Sequence, residues 1–352
     1  MLYWLVASVI YHILRRIGIG AELGIDVVLP LSKVEGFRIA SFIRMITGLF
    51  YATLELLFER PKMKRWSFGL RLLIKTISYT MLVMIIITVA SNYVGYITGN
   101  ENIISKEIII KTGAIWSIGT FFLLASLFYS FLRLVNEKFG PGVLFDMLIG
   151  KYRKPRVEKK IFMFLDLTSS TTIAEKLGYM KYSSLIQQCF YELNDIVQEF
   201  EGQIYQYVGD EVVISWDYER GVKENTCIDC YFAYQRKLES MREFFETEFG
   251  VFPKFKAGLH GGDLVVTEVG VIKKEIAYHG DVINTTSRIQ KECNTYSAEL
   301  LISGLLLNDL QQPAKLLANA LGDVVLKGKN QTVQLHSITS SRSEEHTSEL
   351  QS

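Results

Sequence analysis

Two acidic residues stand where a strand ends and where a hairpin turns. Asp166 follows the apolar run 161–165 in the segment FLDLTSST, and Asp210 sits at the tip of YVGDEVV. Carboxylates brought together from two such backbone ends are hard oxygen donors. They suit Mg2+ or Mn2+, cations that keep waters and take phosphate oxygens as further ligands. Gly209 lets the chain turn tightly beside the second acid. Directly after Asp166, the Ser/Thr cluster that begins with Thr168 and Ser169 opens a helix whose free N–H groups can cradle phosphate oxygens. Farther on, GDVINTTSR sets Asn284 and Arg288 four residues apart, on one face of a helix. An amide and a guanidinium so placed suit a ribose contact and a charge developing on a phosphoryl group. Each feature alone has a plain reading, as a turn-forming aspartate or a solvated helix face. Their combination points to nucleotide chemistry.

Taken in order, FLDLTSST, VGDE and GDVINTTSR resemble the class III adenylate/guanylate cyclase catalytic domain. That family's pattern is an F-x-D-x-x-x-S/T segment, a G-D hairpin and a G-x-x-V-N-x-A-x-R helix. The resemblance spans about 160–337. FKAGLHGG is similar to the family's central strand, and LKGK, with Lys327, to its C-terminal phosphate-contact element. Carried over residue by residue, the resemblance implies that Asp166 and Asp210, with the Leu167 carbonyl, hold two divalent metal ions, Mg2+ or Mn2+. Asn284 would orient the ribose, Arg288 would stabilise charge at the α-phosphate, and Lys327 would contact the leaving phosphates. The metals would activate the ribose 3′ hydroxyl and neutralise the triphosphate, releasing pyrophosphate. In such domains the acids and the Asn/Arg pair of one site come from different subunits, so a homodimer is implied. The implied reaction converts a nucleoside triphosphate, ATP first, into a 3′,5′-cyclic nucleotide. The base-contacting positions depart from the pattern. Gln206 stands where adenylate cyclases often carry Lys, and Ala277 where they often carry Asp. A guanylate or pyrimidine cyclase stays open on these residues, as does a catalytically silent cyclase homologue acting as a signalling module. The run from Gly261 to Leu264 looks briefly like a GGDEF motif, but Leu264 replaces its acid, so it reads as strand and turn.

These residues need a scaffold. Alternating patterns predict strands at 160–167, 203–208, 212–216, 254–260, 264–269 and 276–278, with a closing pair at 324–326 and 333–336. Helices are expected at 170–177, 182–200, 225–249 and 282–292. This is an α+β domain, one sheet covered by helices, and the resemblance makes the sheet ferredoxin-like in type.

Ahead of this domain the composition changes. Of 352 residues 49% are hydrophobic, and the long uncharged runs lie in the first part of the chain. The stretches 76–100 and 112–132 lack Lys, Arg, Asp and Glu, and each is long enough to cross ~30 Å of hydrocarbon. With 37–58 and a short apolar segment at 2–14, residues 1–137 read as a membrane region of three or four transmembrane helices. Arg60, Lys62, Lys64, Arg65, Arg71 and Lys75 crowd one loop, which belongs on the inner side. The expectation is therefore a multi-pass protein of the cell (inner) membrane, lipid its partner, with the catalytic domain (160–338) in the cytosol after a connector (138–159). Residues 342–352, RSEEHTSELQS, read like the translation of a sequencing adapter and are set aside. A net charge of +1 argues against nucleic-acid binding through a basic surface. Cys227 and Cys230 form a C-x-x-C pair without the second pair a zinc site needs, and read, with Cys189 and Cys293, as reduced thiols.

Overall fold

In the computed structural model the chain divides into two units, residues 1–139 and 140–352. The structure describes residues 66–98 and 143–340, apart from 273, 311–315 and 330, with short helical pieces within 49–58 and 120–132.

In the first unit, helix α1 (Phe68–Thr98) runs for 31 residues. It takes in most of the uncharged run expected at 76–100, but its opening turns carry Arg71 and Lys75, the latter 5.4 Å over the Phe58 ring. Counted over the described residues, no helix is long and apolar enough to cross a membrane. The expected multi-span region is thus not supported by the structure. The segments expected at 2–14 and 112–132 lie wholly or largely outside the described residues, as does much of 37–58 and all of 342–352.

The second unit opens with a short helix, α2 (Val143–Leu148), and is built around β1 (Arg156–Leu167). This strand starts before the expected position and draws part of the basic linker into the sheet. Its odd positions Ile161, Met163, Leu165 and Leu167 enter one core, and Phe162 and Phe164 enter another on the opposite face. Asp166 shares the face of the two phenylalanines. β1 pairs antiparallel with β3 (Glu211–Asp217) on one side and β4 (Phe255–Val269) on the other, while β2 (Gln203–Val208) pairs with β3. The crossover from β1 to β2 holds α3 (Ser170–Leu177) and α4 (Tyr179–Glu199). The one from β3 to β4 holds α5 (Tyr218–Val222), α6 (Thr226–Ser240) and α7 (Arg242–Phe249). The order β2-β3-β1-β4 with these crossovers is the expected ferredoxin-like βαββαβ core.

Around that core lie β5 (Glu275–His279), α8 (Asp281–Thr295), β6 (Leu300–Ser303), α9 (Gly304–Asp309), β7 (Leu316–Val325) and β8 (Thr332–Ser340). β6 joins β4 in parallel, β8 and β7 extend the sheet antiparallel, and β5 pairs with β4. The strands expected at 254–260 and 264–269 are one strand. Gly261 and Gly262 keep their places opposite Ile161 and Lys160. A side chain on Gly261 would run into Tyr218, so close packing, not a turn, requires that glycine.

On the first face, Leu185, Cys189, Leu193 and Val197 line one stripe of α4 and pack into the larger core. Cys227 and Cys230 belong to the same core; both are free, and burial pushes the Cys227 thiol up to about 12, far from thiolate reactivity. The single helix expected at 225–249 is two. The chain leaves helical geometry at Met241, and α7 then turns Phe245 and Phe249 inward. On the second face α8 lies directly on β4, because Gly258 has no side chain to hold it off. A methyl there would collide with the Gln290 backbone.

Candidate active site

Val208 pairs with Glu211, so Gly209 and Asp210 form a two-residue turn with Gly209 at φ 65°. Glu211 is also the cross-strand partner of Asp166. Sheet register therefore brings Asp210 to within one residue of Asp166's neighbour. The two acids feel each other. The Asp166 carboxyl is held above the ordinary carboxylate range, first by burial and further by the charge of Asp210, against the pull of Lys256 and Gln290. Glu211 is raised by burial, then by Asp166 and Asp210. The Tyr182 phenol is raised by burial and then by Asp210. Asp166 and Glu211 are thus raised in part by neighbouring carboxyls, a local excess of negative charge that Lys256 only partly offsets. Their hard oxygens fit a divalent cation, for which Asp166, Asp210 and the Leu167 carbonyl would be the ligands. Among the described residues no group of three or more His, Cys, Asp or Glu could hold a metal by itself. Backbone, water and substrate oxygens would have to complete the shell.

The phosphate cradle expected after Asp166 is narrower than the sequence promised. The Thr168 N–H donates to the Lys254 carbonyl at 2.8 Å, so it is spent inside the sheet. Ser169 sits in the left-handed region at φ 57° and turns the chain into α3 without a side-chain cap.

Sequence reasoning missed two residues that hold Asp166. Lys256 lies opposite Asp166 in the β1–β4 register, and its ammonium is 3.2 Å from Asp166 Oδ2. Gln290, buried on α8, donates to the same oxygen at 3.1 Å. Strand register alone links Lys256 to Asp166, and register is a long-range property.

The other predicted residues gather elsewhere. The buried side of α8 carries Val282, Thr285, Thr286, Ile289, Gln290 and Cys293. Asn284 is exposed, with its amide 3.5 Å from the Gly280 carbonyl. Arg288 lies against the 326–329 turn, where a methyl added to Gly328 would sit 3.5 Å from the guanidinium. That turn closes through Lys329 N–H to Leu326 O at 2.9 Å and is tied to the start of α8 by a 2.6 Å Lys329–Asp281 ion pair. Exposed Lys327 is carried on the turn that lies against Arg288. Gln290 is six residues beyond Asn284, far round the helix from it. Within one chain α8 therefore offers Asp166 a glutamine, and among the described residues no contact joins the acids to Asn284 or Arg288. Gln206, exposed on β2, and Ala277, on β5, flank a ring pair: Tyr205 and Tyr278 meet edge to face at 4.7 Å, and Tyr278 also meets Phe162 at 5.3 Å.

The family described as the adenylate and guanylate cyclase catalytic domain matches residues 152–339. Adenylate cyclase 2 of Rhizobium meliloti (strain 1021) is 37% identical over 209 residues, covering 59% of this chain and 58% of that protein. Adenylate cyclase 1 of the same organism is 26% identical over 183 residues, covering 50% and 27%. The chain thus spans less than two thirds of the length of either relative. Among solved structures, a bacterial light-regulated adenylyl cyclase superposes with a TM-score of 0.53 at 19% identity, over 64% of this chain and 65% of that one, a likeness of fold.

Proposed function

Since this chain belongs to the adenylate and guanylate cyclase catalytic domain family, we propose that it converts a nucleoside triphosphate, ATP first, into a 3′,5′-cyclic nucleotide and pyrophosphate, at a site shared by two copies. The two faces of α8 carry this reading. One face sets Gln290 against Asp166 of the same chain. The other carries Asn284, held among the described residues only by a 3.5 Å bond to the Gly280 carbonyl, and Arg288, which lies against the turn that bears Lys327. A second copy that presents this outward face to the acids completes a site that one copy leaves half built.

Asp166, Asp210 and the Leu167 carbonyl would hold the divalent ions. Bound there, the metals supply a more acidic ribose 3′ hydroxyl and offset triphosphate charge. The chain's own groups do the rest. The Asn284 amide orients the ribose, and the Arg288 guanidinium meets charge as it builds at the α-phosphate. Lys327, held by the Lys329–Asp281 tie, meets the leaving phosphates. Gln206 and Ala277 flank the base.

The N-terminal unit fits a membrane anchor for this enzyme. Leu70, Leu73, Ile77, Met81, Ile85 and Val89 are exposed along α1, an apolar stripe of the kind that a membrane surface or a partner protein covers. The catalytic unit would then work on the cytosolic side.

Purified protein given ATP, GTP, CTP or UTP with Mn2+ tests the proposal by mass spectrometry of the products. Cyclic AMP and pyrophosphate from ATP are expected. Binding of nucleotide with no cyclic product from any of the four would identify a silent signalling module instead.

A further inference from the structure

The metal-site chemistry does not call for Lys256. It stands on β4 across from Asp166 in antiparallel register, so both side chains leave the sheet on one face. Its side chain is only 13% exposed, with the ammonium 3.2 Å from Asp166 Oδ2 and 2.9 Å from Asn294 Oδ1. Its backbone is fixed by the β1–β4 ladder, and Ala257 next to it pairs with Leu300 of β6. The lysine cannot withdraw without breaking the sheet; only its side chain can swing. Gln290 approaches the same Oδ2 at 3.1 Å. Both contacts fall on one carboxylate oxygen, Oδ2.

We infer, on the cyclase reading above, that Lys256 is a positioning residue and the built-in counter-ion of the metal site. In the nucleotide-free protein it occupies Asp166 Oδ2 and weakens divalent-ion binding there. The physical reason is simple. A fixed unit charge beside a metal ligand repels a divalent ion twice as strongly as a monovalent one. A triphosphate brings negative charge that offsets this repulsion. Metal then binds well together with nucleotide and poorly without it. A structural ion pair would show no such dependence on nucleotide.

The test is Mn2+ binding to the purified protein, read from the electron paramagnetic resonance signal of free Mn2+, with and without a non-cyclisable ATP analogue. Wild type, Lys256→Met, Lys256→Arg and Asp166→Asn are compared, with thermal melts to confirm folding. Lys256→Met is expected to bind Mn2+ roughly tenfold more tightly than wild type without nucleotide. Lys256→Arg should stay near wild type, and the analogue should narrow the gap. Equal or weaker binding by Lys256→Met overturns the inference, and so does a gap that the analogue leaves unchanged. Should Lys256→Met not fold, Lys256→Gln is held to the same outcomes. Wild-type binding that survives Asp166→Asn would show the ion to be elsewhere. That would sink the metal-site assignment itself, a failure distinct from an unaltered Lys256→Met.

Discussion

The two ends of the catalytic unit are finished to different degrees. At the end of β1, Asp166 is half-buried, pressed by Asp210 and Glu211, and held by Lys256 and Gln290 of its own chain. At the outward face of α8, Asn284 and Lys327 are exposed, and Arg288 rests against a glycine turn. The contrast follows from desolvation. A carboxylate taken out of water needs partners at once, or it picks up a proton. On the proposed reading the α8 groups serve another copy's substrate and stay in water until that copy arrives, so one end is complete in the monomer and the other only in an assembly.

The largest effect should come from separating the two ends genetically. Asp210→Ala removes an acid and Arg288→Ala removes the guanidinium, each lowering cyclisation by roughly 10²–10³-fold. Mixed in equal amounts, the two inactive variants should recover about a quarter of wild-type activity. Half of randomly paired dimers are mixed, and each mixed dimer keeps one intact site. No recovery would mean that both ends serve the same copy, and the contrast would break.

The seat of α8 comes next. Gly258→Ala forces a methyl into the Gln290 backbone, so α8 must lift off β4. Overpacking of this kind should cost about 3 kcal/mol, measurable by urea unfolding. Because Gln290 would be displaced from Asp166, the acid end should suffer along with the helix. Unchanged stability would show that α8 is not seated on Gly258.

How much of this could be read from residues alone depends on the range of the signal. Asp166 and Asp210 were legible because strand ends and a Gly-Asp turn are local features. The ferredoxin-like order followed from local patterns plus the family resemblance. Lys256 and Gln290 were not legible, since one meets Asp166 through pairing across the sheet and the other through the packing of α8 onto it. The break at Met241 carries no Gly or Pro to announce it, and the apolar spacing runs on into Phe245. Gly261 and Gly262 misled in the other direction, looking like a turn while serving close packing. The amide of Thr168 looked free because its partner, Lys254, is distant in sequence.

A smaller effect, dependent on pH, separates the α8 end from the acids. His260 Nδ1 lies 2.7 Å from Ser303 Oγ; burial, helped by Lys329 and only partly opposed by Asp281, lowers the imidazole to about 4. The folded protein thus holds this ring neutral, whereas the unfolded chain protonates it near pH 6.5. Stability from this group is present above about pH 6.5 and is lost as pH falls toward 4. At pH 5 the loss should be about 2 kcal/mol relative to pH 8. His260→Asn keeps an acceptor near the Nδ1 position and should flatten that slope. The raised carboxyl of Asp166 acts with the opposite sign, but it is shared by both proteins and cancels in their difference. Parallel pH profiles of the two proteins would rule out His260 as the source.

The smallest effect on stability should carry a clear functional signature. Lys329 ties the 326–329 turn to Asp281 at 2.6 Å, but the Asp281 side chain is 65% exposed. Such a pair is worth less than about 1 kcal/mol, so Lys329→Met should melt close to wild type. Its loss frees the turn that carries Lys327 and lies against Arg288, so turnover should fall while the melting temperature barely moves. The variant also belongs to one end of the molecule. Mixed with Asp210→Ala, Lys329→Met should regain activity, because the mixed dimer has one site with an intact acid end and an intact turn. Mixed with Arg288→Ala it should gain nothing, because every site in every pairing then carries a lesion at the α8 end. A gain in that second mixture would show that the Lys329 turn serves the acids of its own chain, and the division between the two ends would have to be redrawn at Asp281.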